Sequence, residues 1–194
     1  GLLRVWSGNL YARIMAYRET AKSRAAVLGL GRIIVMGRDS PGPPLLLHAL
    51  PSGESAGYRL RNDRVCFFRS HLVLNSIYFL STSNILGLGH SVQAVAASYA
   101  PSSPDGGKRP VQLVVVRYRD SEDARKGRAS FETTYLPEKH LPKEILAPLN
   151  PRFWQIEDGW LGYALRGRTL ALVFECPGQD SAARATFHAA ARRN

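Results

Sequence analysis

The chain has 194 residues and a mass of 21.4 kDa, room for one domain or two small ones. A chain of this length buries roughly 70% of its extended surface without covalent staples. Its 45% apolar and 21% charged content excludes a disordered polymer, and its net charge of +11 is carried almost wholly by arginine.

The basic excess is spread along the chain. Residues 1–69 hold ten Arg and Lys22 against Glu19, Asp39, Glu54 and Asp63, while residues 108–194 mix ten acids with fifteen bases. No block of five like charges occurs, which disfavours a nucleic-acid-binding arm.

From the N-terminus, "LLRVW-SGN-LYARIMAYR" reads as a β-hairpin and "ETAKSRAAVL" as the helix after it. "LGLGRIIVMG" then offers Gly29, Gly31 and Gly37, but Ile34 fills the last slot of a GxGxxG loop. A helix also precedes it, where a dinucleotide loop needs a strand. No nucleotide and no other cofactor is expected. Arg69 after Phe67-Phe68, and Arg152 before Phe153-Trp154, read as core aromatics beside solvated charges.

Residues 70–104, "SHLVLNSIYFLSTSNILGLGHSVQAVAASYAPSSP", contain no Asp, Glu, Lys or Arg. Asn75, Ser76, Ser81, Thr82, Ser83, Asn84, His90 and Ser91 interrupt the run, so it falls short of the about 20 apolar residues a membrane span requires. Val92 to Tyr99 reads as a buried strand and "STSN" as a capped turn. Residues 71–90 have no clean period.

"VQLVVVRY", Val111 to Tyr118, is the clearest strand, too apolar to face water on both sides. The connection "APSSPDGGKRP" makes it the partner of the preceding strand in a hairpin. Asp120 then caps a helix whose apolar face is Ala124, Gly127, Phe131 and Tyr135, ending before Pro137. "LPEKHLPKEILAPLNP" reads as a Pro-punctuated surface connection. Glu157-Asp158 is expected as a turn before a second hairpin, "GWLGYALRGRTLALVFE", with Arg166-Gly167-Arg168 at its bend. An Ala-rich helix capped near Asp180 or Ser181 closes the chain, with Arg192 and Arg193 complementing its negative end.

These elements predict an α+β protein of two pseudo-repeated β-β-α units, with antiparallel sheet and helices packed on one face. "YRETAKSR" from Tyr17 and "YRDSEDAR" from Tyr118 align at an offset of about 100 residues, the size of a small domain. The expected division is 1–70, a β-hairpin/helix half and degenerate repeat, and 71–194, a β-β-α-β-β-α half, forming one compact unit.

No chemistry-bearing constellation emerges. The five histidines lack ligand spacing with one another or with Cys and carboxylates, so no metal site is expected. No G-x-S-x-G elbow exists, and the adjacent Glu157 and Asp158 would point to opposite sides of a strand. No catalytic residue is assigned, and an enzyme is the weakest of the readings. Cys66 and Cys176 either pair across the fold or stay small buried hydrophobes.

The segments "LNSIYFLSTSNILGLGHSVQAVAASY" and "VQLVVVRYRDSEDARKGRASFETTYLPE" resemble an uncharacterised bacterial family of small exported or lipid-anchored proteins. The resemblance rests on Asn75-Ser76, Tyr78-Phe79-Leu80-Ser81, Asn84-Ile85-Leu86, Tyr99, Tyr118 and Tyr135-Leu136-Pro137. It covers roughly residues 64–175 and departs at Gln93 and Ser98. It implies an extracytoplasmic, periplasmic or envelope-associated setting and α+β duplication, and it carries no activity. Such a setting permits a Cys66–Cys176 disulfide without requiring it.

The expectation is therefore a non-enzymatic extracytoplasmic module that binds a protein partner or serves as an accessory in a larger envelope assembly. Asn75, Tyr78, Phe79, Asn84 and His90 are its candidate interface residues, because charge depletion marks interface centres. The alternative is an Arg-rich small-ligand or polyanion-binding protein, betrayed by steep salt dependence.

Overall fold

In the computed structural model, the described residues are 1–7, 10–38, 42–52, 54–55, 57–102, 109–136 and 151–191. The tips of both hairpin connections before Leu10 and Val111, the Pro-punctuated stretch 137–150 and the terminal Arg192 and Arg193 lie outside them. Contacts divide the chain into two units, Gly1–Pro43 and Pro44–Asn194.

In the first unit, alternating apolar and polar residues produce an antiparallel pair, β1 (Leu2–Ser7) and β2 (Leu10–Met15). Leu3, Val5, Ala12 and Ile14 turn to one side, and α1 (Ala21–Val35) packs there. A reciprocal capping box starts α1: the Ser23 N–H donates to Thr20 Oγ1 at 3.0 Å and the Thr20 N–H to Ser23 Oγ at 2.9 Å. The helix runs past its expected end at Leu28. Gly31, within the glycine run weighed as a loop, is instead a buried contact point of the helix. A β-carbon there would sit 2.5 Å from Leu3 Cδ2.

The second unit holds a seven-stranded antiparallel sheet ordered β3-β4-β5-β6-β9-β8-β7. Its strands are β3 (Glu54–Ser55), β4 (Tyr58–Phe68), β5 (Gln93–Pro101), β6 (Val111–Arg117), β7 (Arg152–Ile156), β8 (Gly159–Arg166) and β9 (Thr169–Cys176). Helix α2 (His71–Asn75) follows β4, α3 (Ser121–Tyr135) follows β6 and α4 (Gln179–Ala191) follows β9. The fold is thus α+β, with a large antiparallel sheet and, among the described residues of both units, four α-helices. A cut at residue 70 would leave β3 and β4 with the first unit, yet β4 pairs with β5 at Tyr58 to Leu60 and again at Val65 to Phe68.

The helices do not share one face of this sheet, as expected, but cover both. Ala94 to Ala97, Leu113 to Val116 and Leu170 to Phe174 are each at most 3% exposed, so successive side chains are buried above and below. One face packs Ala96, Val114, Tyr163, Leu172 and Phe174 under α3 and residues 74–92. The other packs Val95, Val115, Ala171 and Val173 under a 3-10 turn (Leu45–Ala49) and α4. A two-sided apolar strand needs two covers, and the continuous run from Val111 already carried that demand. Gly162 admits α4 to β8: a β-carbon there would strike Thr186 Oγ1 and the Ala182 carbonyl.

Candidate functional site

Residues 71–92 form an irregular layer over the α3 face of the sheet. The Ser70 hydroxyl accepts the Leu72 N–H at 3.3 Å and starts α2, and the Tyr78 N–H reaches the Leu74 carbonyl at 2.8 Å. No regular ladder follows. Two asparagine side chains take its place. Asn75 Nδ2 donates to the Ser81 carbonyl at 2.7 Å while its Oδ1 accepts the Leu80 N–H at 3.2 Å. Asn84 Nδ2 donates to the Leu88 carbonyl at 2.7 Å while its Oδ1 accepts the Leu88 N–H at 2.9 Å. Each side-chain amide presents one donor and one acceptor, as a neighbouring strand would, and ties its loop together.

Side chains from this layer part in two directions. Leu74, Tyr78, Leu80, Ile85, Leu86 and Leu88 are buried against the sheet. Leu72, Ile77 and Phe79 turn outward and are 69%, 37% and 62% exposed. His90 is exposed on the bend before β5. Of the five residues singled out from sequence, Asn75, Tyr78 and Phe79 share one loop, and Asn84 and His90 share the next. Asn75, Tyr78 and Asn84 use their side chains on the fold; Phe79 and His90 are open to water.

Beneath the layer, Tyr78 stacks on Phe174, ring centroids 4.2 Å apart, and its hydroxyl lies 3.0 Å from that of Tyr135 and 3.5 Å from Asp158 Oδ2. Burial, then the Tyr135 hydroxyl and the charges of Asp158 and Glu175, raise the Tyr78 phenol well above its ordinary value. Phe131 links Tyr135 to Tyr163, whose hydroxyl donates to Glu132 Oε1 at 2.8 Å. Burial pushes the Tyr163 phenol up to about 12. Glu132, 3% exposed, also faces Arg152 Nη1 at 3.5 Å and Arg128 Nε at 3.7 Å. Phenols held neutral in this way serve as hydrogen-bond donors. The arrangement anchors α3 and the 71–92 layer to the sheet.

Glu175 marks a local distortion. Between Trp160 and Gly162 the β8–β9 register shifts, so that β9 carries an extra residue, and Glu175 takes a φ of 61°. This left-handed position in a bulge is usually filled by glycine, and a non-glycine residue held there costs on the order of 1–3 kcal/mol.

Tyr135, Glu132, Tyr163 and Asp158 were not candidate site residues from sequence. Glu132 was within reach of it: Ala124, Arg128 and Glu132 follow at four-residue steps along the buried side of α3. Asp158 does occupy the turn before β8, and only the three-dimensional return of that turn brings it to Tyr78.

The geometry also decides the cysteines. Cys66 lies on β4 against the α3-side core, and Cys176 closes β9 in the α4-side core. Strands β5 and β6 stand between them, three inter-strand steps or about 14 Å. A disulfide tolerates about 7 Å between α-carbons, so the two cannot bridge, and both carry thiols. Burial raises the Cys176 thiol to about 12, which makes it unreactive.

Among the described residues no three His, Cys, Asp or Glu side chains converge on a point where a metal ion would sit. No helix among them is long and apolar enough to cross a membrane. Comparison of the chain with protein-family models, with curated proteins and with solved structures yields no match.

Proposed function

We propose that the chain is a non-enzymatic binding module which offers the outer edge of residues 72–79 to a protein partner. The observation that carries this reading is Phe79, 62% exposed on a loop that the Asn75 side chain closes onto Leu80 and Ser81. An exposed aromatic on a pre-ordered loop loses little entropy on docking, and Leu72 and Ile77 extend the apolar edge beside it. The absence of charge from residues 70–104 fits the centre of such an interface.

The resemblance to exported or lipid-anchored bacterial proteins places the partner at the cell envelope in this reading, and the setting as extracytoplasmic. A duplication belongs to it as well. Strands β4-β5-β6 lead to α3 and strands β7-β8-β9 lead to α4, and the two trios meet at β6 and β9. The doubling rests on the alignment of Tyr17 to Arg24 with Tyr118 to Arg125, since α3 and α4 lie on opposite faces of the sheet and the strand order alone does not relate them.

Affinity capture from native envelope fractions tests the binding role. The wild-type chain should retain a defined protein that Phe79→Ser and Leu72→Ser chains of unchanged melting temperature fail to retain. Equal retention by all three chains would refute the assignment of this edge.

A further inference from the structure

We infer that the outward face of the β1–β2 hairpin binds an anionic lipid surface. Residues 1–18 contain Arg4, Arg13 and Arg18 and no acid. Pairing in the hairpin sets Arg4 directly opposite Arg13. The Ala16 N–H donates to the Gly1 carbonyl, and hydrogen-bonded pairs alternate from there. Arg4 and Arg13 therefore form a non-hydrogen-bonded pair, the kind whose side chains stand closest, with α-carbons about 4.5 Å apart.

Both arginines are exposed, and like charges directly opposite each other oppose pairing of the strands. An anion lying across them removes that penalty. Apolar side chains share the face: Leu2 is paired with Met15 at one end, and Tyr11 lies toward the other. Leu2, Tyr11 and Met15 are 44%, 42% and 76% exposed, and Tyr17 just beyond β2 is 99% exposed. The first unit as a whole carries seven Lys and Arg against two acids.

Basic, aromatic and aliphatic groups on one face suit the headgroup layer of a bilayer. Arginines meet lipid phosphates there, and Leu2 and Met15 reach the acyl boundary. A nucleic acid would use the arginines and stack on the tyrosines, but it would leave the aliphatic pair in water. The observations favour lipid. In sequence the two arginines look scattered; only the strand register makes them neighbours.

The test is co-sedimentation of the full chain with mixed phosphatidylcholine–phosphatidylglycerol vesicles and with pure phosphatidylcholine vesicles. Binding to the mixed vesicles alone, weakening as salt rises, is expected. The R4Q/R13Q chain should bind about 25-fold more weakly, about fivefold for each arginine near an anionic surface. R4K/R13K should keep most of the binding, and Leu2→Ser with Met15→Ser should weaken it about tenfold. Equal binding to both vesicle types, no binding to either, or undiminished binding by folded R4Q/R13Q would overturn the inference. So would tighter binding of a single-stranded oligonucleotide at the same ionic strength. Should R4Q/R13Q lose its fold by circular dichroism, the wild-type contrast between vesicle types and the Leu2/Met15 variant decide the matter.

Discussion

Helix α3 and residues 71–92 cover the same face of the same sheet and do it in opposite ways. Helix α3 is periodic and capped: the Asp120 carboxylate accepts the N–H groups of Glu122 and Asp123 at 3.0 and 2.8 Å. Its outer side is charged, with Lys126–Glu122 and Arg119–Asp123 pairs at 2.7 and 3.2 Å. Residues 71–92 have no charge and no period, are tied by two asparagine amides, and present Leu72, Ile77 and Phe79 to water. A cover needs an apolar inner side and a solvated outer side, as in α3. An apolar outer side adds nothing to covering the sheet, and this contrast supports the binding role proposed for the layer.

Substitutions that separate inner from outer positions sharpen the contrast. The largest effect belongs to Glu132→Ala, which leaves Arg128 and Arg152 facing each other in a mostly buried place without their carboxylate. A loss of about 3 kcal/mol in urea unfolding is expected. A loss below about 1 kcal/mol would mean that the charge network does not fasten α3.

Next comes Asn75→Ala, which deprives the Leu80 N–H and the Ser81 carbonyl of their partner. About 2 kcal/mol should go, together with faster amide exchange confined to the 75–81 loop. Tyr78→Phe keeps the stack on Phe174 and removes only the hydroxyl, so about 1 kcal/mol is expected from the same urea titration.

Asp120→Asn gives a smaller change that depends on pH. The Asp123 N–H first, and Arg119 after it, hold the Asp120 carboxyl below its ordinary range. A depressed folded-state value means that the charge contributes stability above the unfolded value, near about 3.9, and loses it as pH falls through the folded value. Asparagine caps about as well without titrating. The difference in melting temperature between the two chains should therefore be present at neutral pH and close on acidification below about 3.9.

Much of the covering helix was legible in the sequence, and little of the layer beside it. In α3 a four-residue stripe, a capping acid and Pro137 all point to one answer, and the structure gives a helix from Ser121 to Tyr135. The hairpins around Arg166-Gly167-Arg168 and between Tyr99 and Val111 were equally plain, because their strands are apolar throughout.

Strand β4 was not. Its register slips between Leu60 and Val65, where Arg61, Asn62, Asp63 and Arg64 break any alternation, and it lies beside the two-residue edge strand β3. Charged residues on such an edge discourage pairing with other chains and hide the strand from a periodicity reading. Strand β7, five residues long, sends Phe153 and Trp154 into different cores and so shows no single apolar side. For residues 71–92 the missing signal is physical. Asparagine amides replace backbone ladders there, and side chains that bond four to six residues ahead leave no repeating pattern.

The central claim is that the outer edge of this layer serves a partner and the inner edge serves the fold. Thermal unfolding and envelope-fraction capture of Phe79→Ser, run beside the wild-type chain, address it most directly. An exposed side chain away from any network should change stability by no more than about 0.5 kcal/mol, while the retained partner disappears. A Phe79→Ser chain that unfolds several degrees lower, or that retains the partner as fully as the wild type, would contradict the account.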